Sequence, residues 1–355
     1  MGRAVLITLV VLCVAGLQGA KATEEYERVG VFPILSLVVE PSARASGMAG
    51  CAITLSDDSA SAIEHPASLA FMEGRVAVST SYIGLASGMA EGYTYRHTGA
   101  AVQVGGSFVI GASYVDLPLD TFSITGADQP GGNPIEIETG ERCIALAGAR
   151  RWGNLGVGVG LQHIRYDGGE NIYGLPGPDE IVYGGWRWSV GARYEHVIGG
   201  GPTLAAAAGI RHAGPDLDAP DWGEFELPAG VSGGGSIRLG ELSPAPVAFH
   251  VQFDGWLWPD SDDAWHSDML WRFGCEAGPA RAFGTTDGFH CDMALRSGYL
   301  LNAITTIDGW TLGGSLSFVT VEDIRLALDI ANLPPRENEN GDRLWQVGVG
   351  LVVGL

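Results

Sequence analysis

Residues Trp186 to Glu195 read W-R-W-S-V-G-A-R-Y-E. Trp186, Trp188, Val190, Ala192 and Tyr194 alternate with Arg187, Ser189, Gly191, Arg193 and Glu195. A period of two is the mark of a strand with one apolar and one polar face. The run is about ten residues long, near what a tilted strand needs to cross a bilayer. Soluble strands average about five or six.

The same alternation returns along the chain. It is clear at Val247–Asp254, Met269–Glu276, Phe289–Arg296 and Ile324–Ala331. Counting such runs predicts about 14 strands. Short connections fall at Gly105-Gly106, Trp152–Asn154, Ile198–Pro202 and Val321–Asp323. Long ones fall at Pro118–Gly140, Asp167–Tyr183, Gly214–Glu226 and Leu333–Asp342. Alternating short turns and long loops suit an outer-membrane barrel. The last strand puts Trp345, Val347, Val349, Leu351, Val353 and Leu355 on one face. Trp186, Trp188, Trp256, Trp258, Trp310 and Trp345 are candidates for the interfacial aromatic girdles. The expected fold is all-β: a transmembrane antiparallel β-barrel of about 14 strands with an N-terminal plug in its lumen.

The start of the chain agrees. Met1-Gly2-Arg3 precedes an apolar run from Ala4 to Gly16, too short to span a bilayer. Ala20-Lys21-Ala22 offers small residues for cleavage after Ala22 or Ala20. Residues 1–22 therefore read as a signal peptide, 23–73 as the plug, and 74–355 as the barrel. No later stretch has about 18 uninterrupted apolar residues, so no membrane helix is expected. The expected location is the outer membrane of a Gram-negative-type bacterium, with its lipid as a partner.

The plug segment is Pro41 to Met72, PSARASGMAGCAITLSDDSASAIEHPASLAFM. It is rich in Ala, Ser and Gly and shows no alternation. It resembles the N-terminal segment of the PorV/PorQ-like outer-membrane proteins, relatives of the long-chain fatty acid transporters of the FadL superfamily. That family reads A-R-A-x-G-M-G-G-A, then D-D-A-S-A, then W-N-P-A-G-L-A. Ala43, Arg44, Ala45, Gly47, Met48 and Gly50 match the first block; Asp57 to Ala62 resemble the second; Pro66, Ala67, Leu69 and Ala70 match the third. Glu64, His65 and Ser68 depart from it, and His65 replaces the Asn of the characteristic Asn-Pro-Ala triplet.

The resemblance implies passage of small hydrophobic molecules across the outer membrane. His65, Pro66 and Ala67, with Asp57, Asp58 and Arg44, are the ligand-binding or gating candidates. An alternative is a PorV-like role in protein secretion, with exported proteins bound at the surface loops. Asp and Ser residues of the segment suit helix caps and turns. Arg44 is expected to pair with Asp57 or Asp58.

Other chemistry is weakly signalled. The formal charge is −21, with Lys+Arg 20 against Asp+Glu 41. That argues against nucleic acid, which needs a basic surface. Gly230-Val231-Ser232-Gly233-Gly234 fits the nucleophile-elbow pattern but lies inside a strand rather than a strand-turn-helix. No catalytic residue, cofactor or enzyme activity is expected. Asp260, Asp262 and Asp263 read as a solvated loop, and His163, His250 and His290 lack metal-site spacing. Gly156, Gly158 and Gly160 are expected on the lumen side, making room for the plug. Cys275 and Cys291 share the apolar face of adjacent strands and are the disulfide candidates; Cys51 and Cys143 are a second pair.

Overall fold

The computed structural model describes residues 39–56, 58–84, 94–124, 135–170, 180–215, 217–219, 223–225, 227, 229–240, 246–257, 270–284, 289–302, 309–320, 324–333 and 344–354. The expected signal peptide, residues 23–38, Asp57, the loop at 260–263 and Leu355 lie outside them.

The strands are β1 (Val76–Gly84), β2 (Thr94–Gln103), β3 (Phe108–Ile124), β4 (Ile135–Trp152), β5 (Leu155–Glu170), β6 (Glu180–Val197), β7 (Thr203–Ala213), β8 (Leu217–Ala219) and β9 (Gly223–Phe225). They continue as β10 (Ala229–Leu239), β11 (Val247–Leu257), β12 (Leu270–Gly284), β13 (His290–Asn302), β14 (Gly309–Val319), β15 (Ile324–Leu333) and β16 (Leu344–Val353). All sixteen join one sheet. β8 and β9 are three residues each and form a hairpin on the β7–β10 connection. The other fourteen pair antiparallel with their sequence neighbours, and β1 closes onto β16 from Val76↔Val353 to Ile83↔Gln346. Closure leaves none of the fourteen an edge strand, so their backbones are paired across the bilayer.

The side chains follow the predicted phase. Leu295, Val159 and Leu328 are outward and exposed, at 65%, 58% and 46%. Gln252, Ser113 and Gln346 are buried inward. Trp186, Trp188, Trp310 and Trp345 are exposed, as girdle residues are. Ser232 sits mid-strand in β10, opposite Asp254 and Gly209, which removes the hydrolase pattern.

Two expectations need correction. The long connections at 118–140 and 167–183 are partly strand. β3 and β4 stay paired from Pro118↔Gly140 to Ile124↔Ile135, and β5 and β6 through Glu170↔Glu180. Beyond the bilayer both faces of a strand meet water, so alternation fades while pairing continues.

The second concerns Cys275 and Cys291, which are free, as are Cys51 and Cys143. Cys275 lies opposite Ser297, and Cys291 opposite Phe283. Register shifts near Ala277/Ala280 and Arg281/Phe283 keep the two positions from facing each other. The six-residue offset separates the two sulfurs by about 20 Å along the strand, far beyond disulfide reach.

Inside the barrel, residues 39–74 form α1 (Ala43–Ser46), α2 (Ser61–Glu64) and a 3-10 helix at Pro66–Phe71. This is the plug. It is nearly wholly buried: Ala45, Met48, Ala62 and Ala67 are at 0% exposure.

Candidate functional site: the plug and its wall

The plug contains too little helix to satisfy its own backbone, and buried peptide groups must be paired. The wall supplies the partners. Gln252 Oε1 accepts from the N–H groups of Ala52 and Ile53 at 2.9 and 3.0 Å. Thr311 Oγ1 accepts from Ala49 N at 2.9 Å. Arg193 donates to the Leu55 carbonyl at 2.8 Å, Gln162 to Ile63 at 2.9 Å, and Gln346 to Glu40 at 3.1 Å. Ser81 donates to the Pro41 carbonyl. Within the plug, Ser42 caps α1 by accepting from Ala45 N at 3.2 Å, and Asp58 accepts from Ala60 N at 3.0 Å and from the Ser42 hydroxyl. These are the turn roles read for Ser and Asp.

Glycine lets the backbones meet. A Cβ on Gly158 would stand 2.4 Å from Ala67 N and from the Pro66 carbonyl carbon. One on Gly156 would meet Phe71 at 2.6 Å, and one on Gly298 would meet Ala49 N at 2.4 Å. Gly156, Gly158 and Gly160 thus face the lumen as the spacing predicted. His65 fits for the same reason: its ring lies over Gly191 and Gly209, where a Cβ would meet Nε2 at 2.6 and 3.1 Å. Nε2 lies 3.2 Å from the Ala208 carbonyl and Nδ1 lies 3.3 Å from Ser68 Oγ. Burial pushes the imidazole down to about 4, so His65 is neutral.

Two ion-pair networks hold the plug sideways. Arg44 reaches the wall at Glu276, 2.9 Å away, and donates to the Ser56 carbonyl at 3.1 Å; its other expected partner, Asp57, lies outside the described residues. Glu276 also holds Arg296 at 2.6 Å, which holds Asp329 at 2.6 Å. On the other side Glu64 meets Arg211 at 3.1 Å, Arg211 meets Asp254 at 3.3 Å, and Asp254 meets Arg272 at 2.9 Å. Arg272 donates to the Gly50 carbonyl at 3.2 Å. Gly191, Gly209, Gly298, Gln252 and Glu276 were missed as plug contacts. Their signal was a polar or absent side chain at inward positions. A cavity of about 120 Å³ beside α1 is lined by apolar residues such as Val78 and Val352 and by the charged Arg44, Glu276, Arg296 and Asp329, among others.

Toward the long-loop end the lumen changes character. Ile83, Tyr95, Val115, Leu117, Cys143 and Ile164 from the wall form a buried apolar cluster. Ile63 of the plug forms its floor, and Leu217 and Leu227 of the β7–β10 connection join it. Arg187, buried on β6, ties that connection down through the carbonyls of Gly214, Pro215 and Leu227.

Fold and site together define a closed transmembrane β-barrel with a plug packed in its lumen, the architecture of plugged outer-membrane barrels. In this it is similar to the solved toluene transporter TbuX of Ralstonia pickettii, at 16% identity, covering 88% of this chain and 97% of that one, with a TM-score of 0.52. The toluene transporter TodX of P. putida is similar at 13% identity over 88% of this chain and 97% of that one, with a TM-score of 0.50. No protein-family model and no curated protein matches the sequence. At these identities the likeness is one of fold; the finer likeness to PorV and PorQ rests on the plug motif alone.

Proposed function

We propose that the protein sits in the outer membrane of a Gram-negative-type bacterium and passes small hydrophobic molecules through its lumen, with the plug as the closure. The observation that carries this is the apolar cluster inside the barrel, directly above Ile63 of the plug. A barrel that passes ions or sugars gains nothing from burying Ile83, Val115, Leu117 and Ile164 inward, where water-filled channels are polar. The cavity beside α1 suits an apolar ligand less well, because desolvating the charged Arg44 and Asp329 in its lining without replacing their contacts is costly. An apolar molecule therefore descends as far as Ile63 and leaves only when the plug shifts. In this reading His65, Pro66 and Ala67 seat the plug, and Arg44 and Asp58 steady its first turn. The two solved structures similar in fold are toluene transporters, which accords with the reading. The secretion alternative has only the motif behind it.

The test is deletion of Thr23 to Glu73 behind the native signal. The barrel should still insert, and should conduct steadily in planar bilayers and admit toluene to proteoliposomes faster than the full chain. Conductance equal to that of the full chain would remove the plug from the account. Copurification of exported proteins without any hydrophobic ligand would favour secretion.

A further inference from the structure

We infer that the outward face of β2 to β5 holds a phosphorylated glycolipid of the outer leaflet through Arg96, Arg142 and Arg165. The inference rests on the outer-membrane placement and is independent of what the lumen passes.

The three arginines stand in one row across four strands. Arg96 lies opposite Asp116, Asp116 opposite Arg142, and Arg142 opposite Arg165. All point away from the lumen, since the residues beside them in sequence are buried: Tyr95 and His97, Glu141 and Cys143, and Ile164. The chain holds Lys+Arg 20 against Asp+Glu 41. Three arginines with one carboxylate among them reverse that balance locally.

The height of the row follows from strand length. Trp152 and Leu155, both exposed, face each other at the short β4–β5 turn. Arg142 and Arg165 each lie ten residues from them along their strands. Ten residues of strand run about 33 Å. At a tilt near 40° they climb about 25 Å, the height of the apolar band on an outer-membrane barrel. The outward residues between are apolar, among them Ile144, Leu146, Val159 and Leu161. The arginines therefore meet lipid head groups rather than tails. Tyr82, Tyr114 and Trp186 stand beside the row as exposed girdle residues. On β13, β14 and β16 the exposed residues toward this end include Leu301, Trp310 and Trp345, a girdle without charge.

Charge complementarity names the occupant. Arg142 and Arg165 are directly opposite, where like charges repel. Their ion pairs are long: Arg142 is 3.7 Å from Asp116, and Arg165 is 3.7 Å from Asp167. The Arg142 and Arg165 side chains remain 66% and 48% exposed. Two guanidinium groups side by side and turned outward fit the oxygens of one phosphate. Arg96 stands two strands from Arg142, about 10 Å away, placed for a second phosphate with a sugar between. A head group with a phosphate at each end uses the whole row. A phospholipid with one phosphate leaves Arg96 out.

The experiment is native mass spectrometry of the full-length protein in neutral detergent, titrated with diphosphoryl lipid A, monophosphoryl lipid A or phosphatidylglycerol. The wild type should hold the diphosphoryl form most tightly. Arg142→Gln with Arg165→Gln should lower that affinity about tenfold or more, the worth of one charge-assisted hydrogen bond. Arg96→Gln should bring the diphosphoryl form down to the level of the monophosphoryl one. Arg150→Gln is the control: Arg150 is exposed at the short-turn end, over the Trp152 ring, and its loss should leave binding unchanged. All variants should stay heat-modifiable, because outward side chains do not reach the plug. Equal affinity in the wild type and the double variant, an equal loss in Arg150→Gln, or phosphatidylglycerol held as tightly as diphosphoryl lipid A overturns the inference. If the variants bind alike while the wild type still admits toluene to proteoliposomes, the lipid site falls and hydrophobic passage stands. If lipid A is held as expected and toluene is not admitted, passage falls and the site stands.

Discussion

Gly158 of the barrel wall lies so close under Pro66 of the plug that a Cβ on it would stand 2.4 Å from the Pro66 carbonyl carbon. The contact is backbone against backbone, so no rotamer change relieves it. Gly158→Val should lift the 3-10 helix off the wall at a cost above the usual overpacking range of about 1–3 kcal/mol. Gly350→Ala is the control, because its nearest neighbour is 3.9 Å away. The expected outcome is a heat-modifiable, inserted barrel in both, with steady conductance only in Gly158→Val.

Glu276 holds Arg44 and Arg296 together at 4% side-chain exposure. Removing one member of a buried pair costs about 3–5 kcal/mol. Glu276→Leu takes the shared carboxylate from two guanidinium groups, though Arg296 keeps Asp329, and should destabilise by about the lower end of that range in denaturant titrations. Arg44→Met should cost less, because Arg296 still satisfies Glu276. Equal losses would show that the network is not shared.

Acid should loosen the plug through His65. Its ordinary value is 6.5, and burial holds the docked ring at about 4. An undocked His65 takes up a proton below pH 6.5 while the docked one refuses it. The contribution to docking is therefore complete above pH 6.5 and is lost as pH falls toward 4, by up to roughly 3 kcal/mol. Arg193 and Arg211 nearby reinforce the depression, and the Ala208 carbonyl and Asp254 oppose it. Burial pushes Glu40 and Glu64 upward, and they act in the opposite sense. Both persist in His65→Asn, so the comparison isolates the histidine. Conductance between pH 6.5 and 4 should rise in the wild type more than in the variant.

Ser59 of the plug and Ser79 of β1 lie 2.6 Å apart through their hydroxyls. Changing both to cysteine should give a disulfide on oxidation. If ligand passes by plug displacement, oxidation stops toluene entry into proteoliposomes and a reductant restores it. Entry unaffected by the crosslink would mean that the route avoids a moving plug.

The two faces of one strand should differ in tolerance. Leu328 is outward and Asp329 inward, bound to Arg296. Leu328→Arg should cost about 2–4 kcal/mol in urea titrations of the inserted barrel, as charges do at lipid-facing positions. Gln252→Ala should leave the barrel's insertion intact, yet free the plug N–H groups of Ala52 and Ile53 and raise conductance.

What the sequence determined by itself is local in origin. A strand's side chains alternate with a period of two, so Val251 against Gln252 and Leu328 against Asp329 declare their faces without any knowledge of partners. The fourteen-strand count follows from the same rule, and the inward glycines at 156, 158 and 160 announce a close neighbour. Only the tertiary structure decided who meets whom. The opposite number of Cys275 depends on where a turn falls and on bulges that alternation cannot show. The partner of Arg44 is 232 residues away, and barrel closure rather than sequence proximity brings Glu276 to it. The apolar cluster was hidden because Ile83, Tyr95, Leu117 and Ile164 come from strands whose other face is apolar too. Which hydrophobic side chain looks inward is settled by strand pairing around the whole ring.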